Sequence, residues 1–159
     1  MSSQNNSIVV FFGCSMRGGH SNVSKEDLAK FPSFIKSFGC SLASEHQTQK
    51  GIVEAENALT PTFIHDRDYA WLIDSSLAIF EISNPSLGVG GEISDMLHLG
   101  KPVLLLYKKE LEQSVSAYIR GKEGSSYFTN VTVTNYGYTS LEDAQAKIGE
   151  FISKNGIAH

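Results

Sequence analysis

The sequence predicts an α/β fold: a flavodoxin-like, Rossmann-like three-layer sandwich built on a five-stranded parallel sheet of order 2-1-3-4-5. Three observations lead there. The runs Ile8–Phe12 and Val103–Tyr107 are apolar throughout and Leu77–Ile82 nearly so, as expected of strands buried on both faces. Between such runs lie stretches with helical spacing, and strands alternating with helices pair in parallel through right-handed crossovers. Glycine-rich loops, 13–19 and 84–91, follow the first and third strands. In the order 2-1-3-4-5 these two strands flank the topological switch point, so both loops border one crevice, the expected ligand site.

Taken in order, Ile8–Phe12 is the first strand and stops at Gly13, after a flexible N-terminus over residues 1–7. The box Ser24-Lys-Glu-Asp27 opens a helix with Leu28, Phe31, Ile35 and Phe38 at helical spacing and Gly39 as its stop, and Pro32 kinks or splits it. Cys40–Glu45 is a weak second strand, and 47–59 is polar and ambiguous. Thr60-Pro61 supplies an N-cap and an N1 proline for a helix through about Ile73. Leu77–Ile82 is the third strand, Glu92–Leu99 a short helix ended by Gly100, and Val103–Tyr107 the fourth strand. Residues 110–120 suit a helix, Thr129–Val133 a last strand and Leu141–Ser153 a last helix.

The length of 159 residues fits a single domain, 1–159, and 41% hydrophobic with 19% charged residues suits a globular core. Seventeen acidic against 13 basic residues give a net charge of −4, which argues against a dedicated nucleic-acid binder. The longest apolar runs are five residues, too short for a membrane span. Two cysteines make no disulfide framework, no zinc-ligand spacing occurs, and no secretory signal opens the chain. A reducing cytoplasmic location is expected, with nuclear entry possible by size.

Within the crevice, Ser15-Met16-Arg17-Gly18-Gly19 offers a hydroxyl, a guanidinium and open backbone N–H groups that suit a phosphate. The plainer reading is a flexible connection with a solvated arginine. Glu92, placed in the first turn of its helix, is either a carboxylate stabilised by the helix dipole or a nucleophile for a sugar carbon. Asp68 falls on the apolar stripe of its helix, four residues from Ile64 and from Leu72. It is either a structural hydrogen-bonding group or a desolvated acid able to protonate a leaving group. His65 and Asp66 point elsewhere and are solvated; His46 reaches the crevice or lies on the surface. Tyr118 and Arg120 remain open among surface, core and interface.

Ser15-Met-Arg-Gly-Gly19, Ser44-Glu-His46, Ile64-His-Asp-Arg-Asp68 with Trp71-Leu72, Asn84-Pro-Ser-Leu-Gly-Val-Gly-Gly-Glu92 and Ser114-Val-Ser-Ala-Tyr-Ile-Arg-Gly121 occur in this order. With them the chain resembles the 2′-deoxynucleoside 5′-phosphate N-hydrolases, relatives of the nucleoside 2′-deoxyribosyltransferases, over residues 8 to 135. The resemblance implies cleavage of the N-glycosidic bond of a nucleoside 5′-monophosphate, without cofactor or metal. It implies Glu92 as nucleophile on C1′ and Asp68 as the carboxylate that assists departure of the base. It further implies a substrate site made of Phe11, Gly13, Cys14, Ser15, Met16, Arg17, Gly18, Gly19, His46, Ser86 and Gly88. Ser116 and Tyr118 would complete it from the other subunit of a homodimer.

The chain departs from that pattern at Phe11, where family members preferring deoxynucleotides carry a Tyr and the related CMP hydrolases look like this chain. A Tyr hydroxyl there would bond the glutamate and crowd a 2′-OH, so Phe11 leads to the expectation that ribonucleotides are accepted. Tyr118 stands where Met is usual, Gly91 where Tyr is, and Cys14 where Gly is. A deoxyribosyltransferase, a non-catalytic nucleotide- or flavin-binding module, and an inactive relative are the alternative readings.

Overall fold

The structure is a computed structural model that describes residues 8–16, 21–43 and 59–156. Its elements are β1 (Val9–Cys14), α1 (Lys25–Leu28), α2 (Lys30–Ser37), β2 (Ser41–Leu42), α3 (Pro61–Asp74), β3 (Leu77–Glu81), α4 (Leu87–His98), β4 (Val103–Lys108), a 3-10 turn (Lys109–Ser114), α5 (Ala117–Arg120), β5 (Val133–Tyr138) and α6 (Leu141–Asn155). The strands form one parallel sheet in the order β2-β1-β3-β4-β5, as the sequence predicts. Val10 lies opposite Leu77 and Cys14 opposite Glu81, so β1 and β3 end side by side at the switch point.

Alternation along the strands divides the core into two layers. Val10 and Phe12 face α1, α2 and α6 and pack with Leu28, Phe31, Ile35, Ile148 and Phe151. Phe11 and Phe80 face α3 and α4 and pack with Leu72, Ile93 and Met96. The helices over the second layer, α3 and α4, carry Asp68 and Glu92.

Several elements differ from expectation, each for a local reason. The first helix divides at Ala29, and Pro32 sits in the first turn of α2, where its missing N–H costs nothing. Gly39, at φ 81°, turns the chain out of α2. Of the expected strand Cys40–Glu45, Ser41 and Leu42 form β2, and Ser44 and Glu45 lie outside the described residues.

The helix expected from Glu92 begins at Leu87 instead. The Ser86 hydroxyl accepts the N–H of Val89, and buried Val89, Ile93, Met96 and Leu97 hold the helix despite its three glycines. Glu92 therefore stands in the second turn, where the dipole is weaker. Residues 110–120 divide into a 3-10 turn and a short helix capped by Ser116. The last strand is Val133–Tyr138, not Thr129–Val133; only its ends are buried, as suits an edge strand. The expected N-terminal segment 1–7 lies outside the described residues. Among the described residues no helix is long and apolar enough to cross a membrane.

Candidate active site

The site is built by two helices on one face of the sheet. Thr60 accepts the N–H of Phe63 and starts α3, and Ser86 starts α4. Residues spaced three and four apart share a helix face. From α3 this brings His65, Asp68, Tyr69 and Leu72 to one side; from α4 it brings Gly88, Gly91, Glu92 and Asp95. These eight residues, with Pro61 and Ile64, line a cavity of about 480 Å³. The two carboxylates singled out in the sequence, Asp68 and Glu92, thus share one cleft.

Glu92 is half-buried, and its Oε2 has under 1 Å² of exposed surface. Gly88 and Gly91 flank it on the cleft side. A Cβ at Gly91 would meet nothing within 4 Å and one at Gly88 only the Ser86 hydroxyl at 3.9 Å. Side chains there would occupy the cleft, so the glycines leave space beside the carboxylate. Asp68 is a paired carboxylate: its Oδ1 accepts Nη2 of Arg67 at 2.8 Å and Nε at 2.9 Å, with 21% of the side chain exposed. Asp68 is thus paired with its chain neighbour and mostly buried.

His65 and Tyr69 are additions that the sequence reading did not place in the site. His65 is exposed and bonded to Asp66 at 3.0 Å, as expected, yet it also lines the cleft and stacks on Tyr69 with centroids 5.7 Å apart. The signal was available: His65 precedes Asp68 by three residues and Tyr69 by four, the spacing that shares a face.

Of the other described candidates, only Gly88 lines this cleft. Phe11 is wholly buried, its ring 5.7 Å from that of Phe80. Gly13 lies under both rings, where a Cβ would come within 2.6 Å of Phe80 and 3.2 Å of Phe11. Cys14 is buried in the opposite layer. Burial first, then the charges of Glu81 and Glu92, push its thiol up to about 12, so it is no thiolate at neutral pH. Ser15 is buried and Met16 packs against that same layer. Ser86 and Ser116 line a second cavity of about 510 Å³ over the start of α4, together with Ser83, Asn84 and Ser114. Tyr118 is 79% exposed and lines neither cavity. Arg17, Gly18, Gly19 and His46 lie outside the described residues. Among the described residues, no three His, Cys, Asp or Glu side chains converge as a metal site.

Comparison with known proteins follows the same direction. No family model matches the chain. The 5-hydroxymethyl-dUMP N-hydrolase of Mus musculus is 36% identical over 124 residues, covering 75% of this chain and 68% of the mouse protein. A protein of Trichoplax adhaerens named "Putative 2′-deoxynucleoside 5′-phosphate N-hydrolase 1" is 34% identical over 144 residues, covering 91% of this chain and 92% of its own. Among solved structures, the Clostridium botulinum CMP N-glycosidase BcmB shares the fold at a TM-score of 0.64 and 19% identity, over 90% of this chain and 98% of that one. The solution structure of BlsM matches at a TM-score of 0.67 and 24% identity, over 93% and 91% of the two chains. With two carboxylates in one cleft and relatives alike over most of their length, the chain belongs to the 2′-deoxynucleoside 5′-phosphate N-hydrolase family of enzymes.

Proposed function

We propose that the chain hydrolyses the N-glycosidic bond of nucleoside 5′-monophosphates to free base and sugar 5-phosphate, with Glu92 as nucleophile and Asp68 as proton carrier. The observation that carries this reading is the convergence of Asp68 and Glu92 on one cavity beside two helical glycines. In the first half-reaction a Glu92 oxygen bonds to C1′ as the C1′–N bond breaks. Its electron pair leaves on the base, which takes a proton through Asp68. In the second, water gives a proton to Asp68 and attacks C1′, and the Glu92 carboxylate departs. The 5′-phosphate is assigned to the loop Ser15–Gly19 and to Ser86, whose hydroxyl lies at the start of α4, where backbone N–H groups favour an anion.

Two further parts belong to this proposal. Leu87, 99% exposed, and Tyr118 lie beside the second cavity, an apolar exposure that suits coverage by a second copy bringing Ser116 to the neighbouring site. Phe11 offers no hydroxyl to the cleft, so ribonucleotides are accepted along with deoxynucleotides.

The test is base release from ribo- and deoxynucleoside monophosphates by the wild type and Glu92→Ala. The proposal requires release by the wild type and a loss of at least about a thousandfold in the variant. Release that needs a second free base would make the protein a transferase. A ribonucleotide rate far below the deoxynucleotide rate would overturn the role given to Phe11. A monomer by light scattering at micromolar concentration would remove Ser116 and Tyr118 from the site.

A further inference from the structure

Beneath the crevice lies a buried carboxylate that the reaction does not use. Glu81, the last residue of β3, is 1% exposed. Its Oε1 accepts the backbone N–H of Ser83 at 2.6 Å. Its Oε2 accepts the Ser83 hydroxyl at 3.1 Å and the phenol of Tyr138 at the end of β5. Ser83 Oγ accepts the N–H of Lys108 at 2.9 Å, which leaves the hydroxyl proton for Glu81 and adds the end of β4 to the cluster.

The chain of bonds continues upward. The Ser83 carbonyl accepts Nδ2 of Asn22 at 2.8 Å. Asn84 Oδ1 accepts the backbone N–H groups of Asn22 at 2.6 Å and Val23 at 3.3 Å, and its Nδ2 donates to the Val23 carbonyl at 3.2 Å. Residues 22–23 are the exit of the β1–α1 loop, and residues 83–86 lead into α4, which carries Glu92. One carboxylate thereby connects the ends of three strands, through Ser83, with residues 22–23 and with the loop that leads into α4.

Stability alone gives little reason for this residue. An apolar side chain of similar volume avoids the cost of desolvating a carboxylate, and buried charges are often replaceable in that way. Burial does push the Glu81 carboxyl up, against the lowering effect of its three hydrogen bonds and of Lys108. Its geometry has a definite consequence, since removal leaves the Ser83 N–H without its acceptor at the base of the turn.

We propose that Glu81 is a positioning residue: by fixing Ser83 and Asn84 it sets Asn22 and Val23, just before α1, against the loop that leads to Glu92. The kinetic consequence rests on the hydrolase reading above; the structural one does not. The variants are Glu81→Leu, Glu81→Gln and Tyr138→Phe, followed by amide hydrogen exchange and by base release from nucleoside monophosphates. In Glu81→Leu, exchange at Asn22 and Val23 accelerates at least about tenfold while Val10 and Leu105 in the sheet stay at wild-type rates. The nucleotide KM rises about tenfold and kcat falls, and Glu81→Gln, which keeps an acceptor for Ser83, recovers most of both.

Should Glu81→Leu not fold, Tyr138→Phe removes one donor at nearly constant volume and produces the same local acceleration, about threefold. Exchange at Asn22 and Val23 within about twofold of wild type, or acceleration spread evenly over the sheet, overturns the proposal. A wild type that releases no base defeats the hydrolase reading and leaves the exchange measurement to decide the role of Glu81.

Discussion

Arg67 and Asp68 are neighbours in the chain and partners in space. The guanidinium Nη2 lies 2.8 Å from Asp68 Oδ1, and its central carbon sits 4.7 Å from the centre of the Trp71 ring. A planar cation held by a carboxylate on one side and an indole on another has little rotational freedom. The carboxylate held in this way lines the cleft that Glu92 also lines. With Asp68 as the proposed proton carrier, Asp68→Asn keeps the shape and removes that transfer, so kcat falls about a hundredfold or more with little change in KM. Arg67→Met loosens the carboxylate and gives a smaller loss of kcat. Steady-state base release, with circular dichroism to check folding, measures both.

The His65–Tyr69 stack gives the cleft an aromatic wall. Stacking on an aromatic side chain contributes about 1–3 kcal/mol per base. Tyr69→Ala is therefore expected to raise the nucleotide KM by about tenfold or more. Inhibition by ribose 5-phosphate, which carries no base, stays at the wild-type value. Equal weakening of both ligands would show that Tyr69 supports the helix and does not contact the base.

Gly13 reports on packing below the site. A methyl group there meets Phe80 Cδ1 at 2.6 Å and Cε1 at 2.7 Å, in a core where Phe80 is fully buried. Overpacking of this kind costs about 1–3 kcal/mol. Gly13→Ala lowers the thermal midpoint by several degrees, and adding Phe80→Leu restores part of the loss. Thermal melts of the single and double variants decide it.

Asp143 provides a pH-dependent prediction at the start of α6. Its Oδ2 accepts the N–H of Thr139 at 2.9 Å and its Oδ1 the phenol of Tyr136 at 2.7 Å. The Thr139 N–H first, then Tyr136, hold its carboxyl below the usual range. A depressed folded-state value means a contribution to stability that is present above the ordinary aspartate range and lost as pH falls through the folded value. Asp143→Asn should thus lie below wild type in urea midpoint at pH 7, with the gap narrowing below about pH 4. A gap independent of pH would mean that the aspartate acts through shape alone.

The parts of this molecule legible in its sequence are those fixed by local pattern. Ile8–Phe12, Leu77–Phe80 and Val103–Tyr107 are continuous apolar runs because both faces of the sheet are covered. Asp68 was legible because a charged residue on an apolar stripe breaks the pattern. The start of α4 was hidden by three glycines, which weaken a helix by propensity yet are held by the buried stripe around them. β5 was misplaced because Asn135 and Gly137 are poor strand formers, and only pairing with β4 makes them a strand. Glu81 interrupts the apolar run Leu77–Ile82, but its partner Tyr138 stands 57 residues away, beyond the reach of any spacing rule.

That separation also orders events in time. Synthesis delivers Glu81 well before Tyr138, and parallel strands pair only after their crossovers are complete. A growing chain that has made both glycine-rich loops and both carboxylates still lacks one of the groups that close around Glu81. The cleft gains that last support only when its fifth strand arrives, so shorter nascent forms carry Asp68 and Glu92 without the full frame around them.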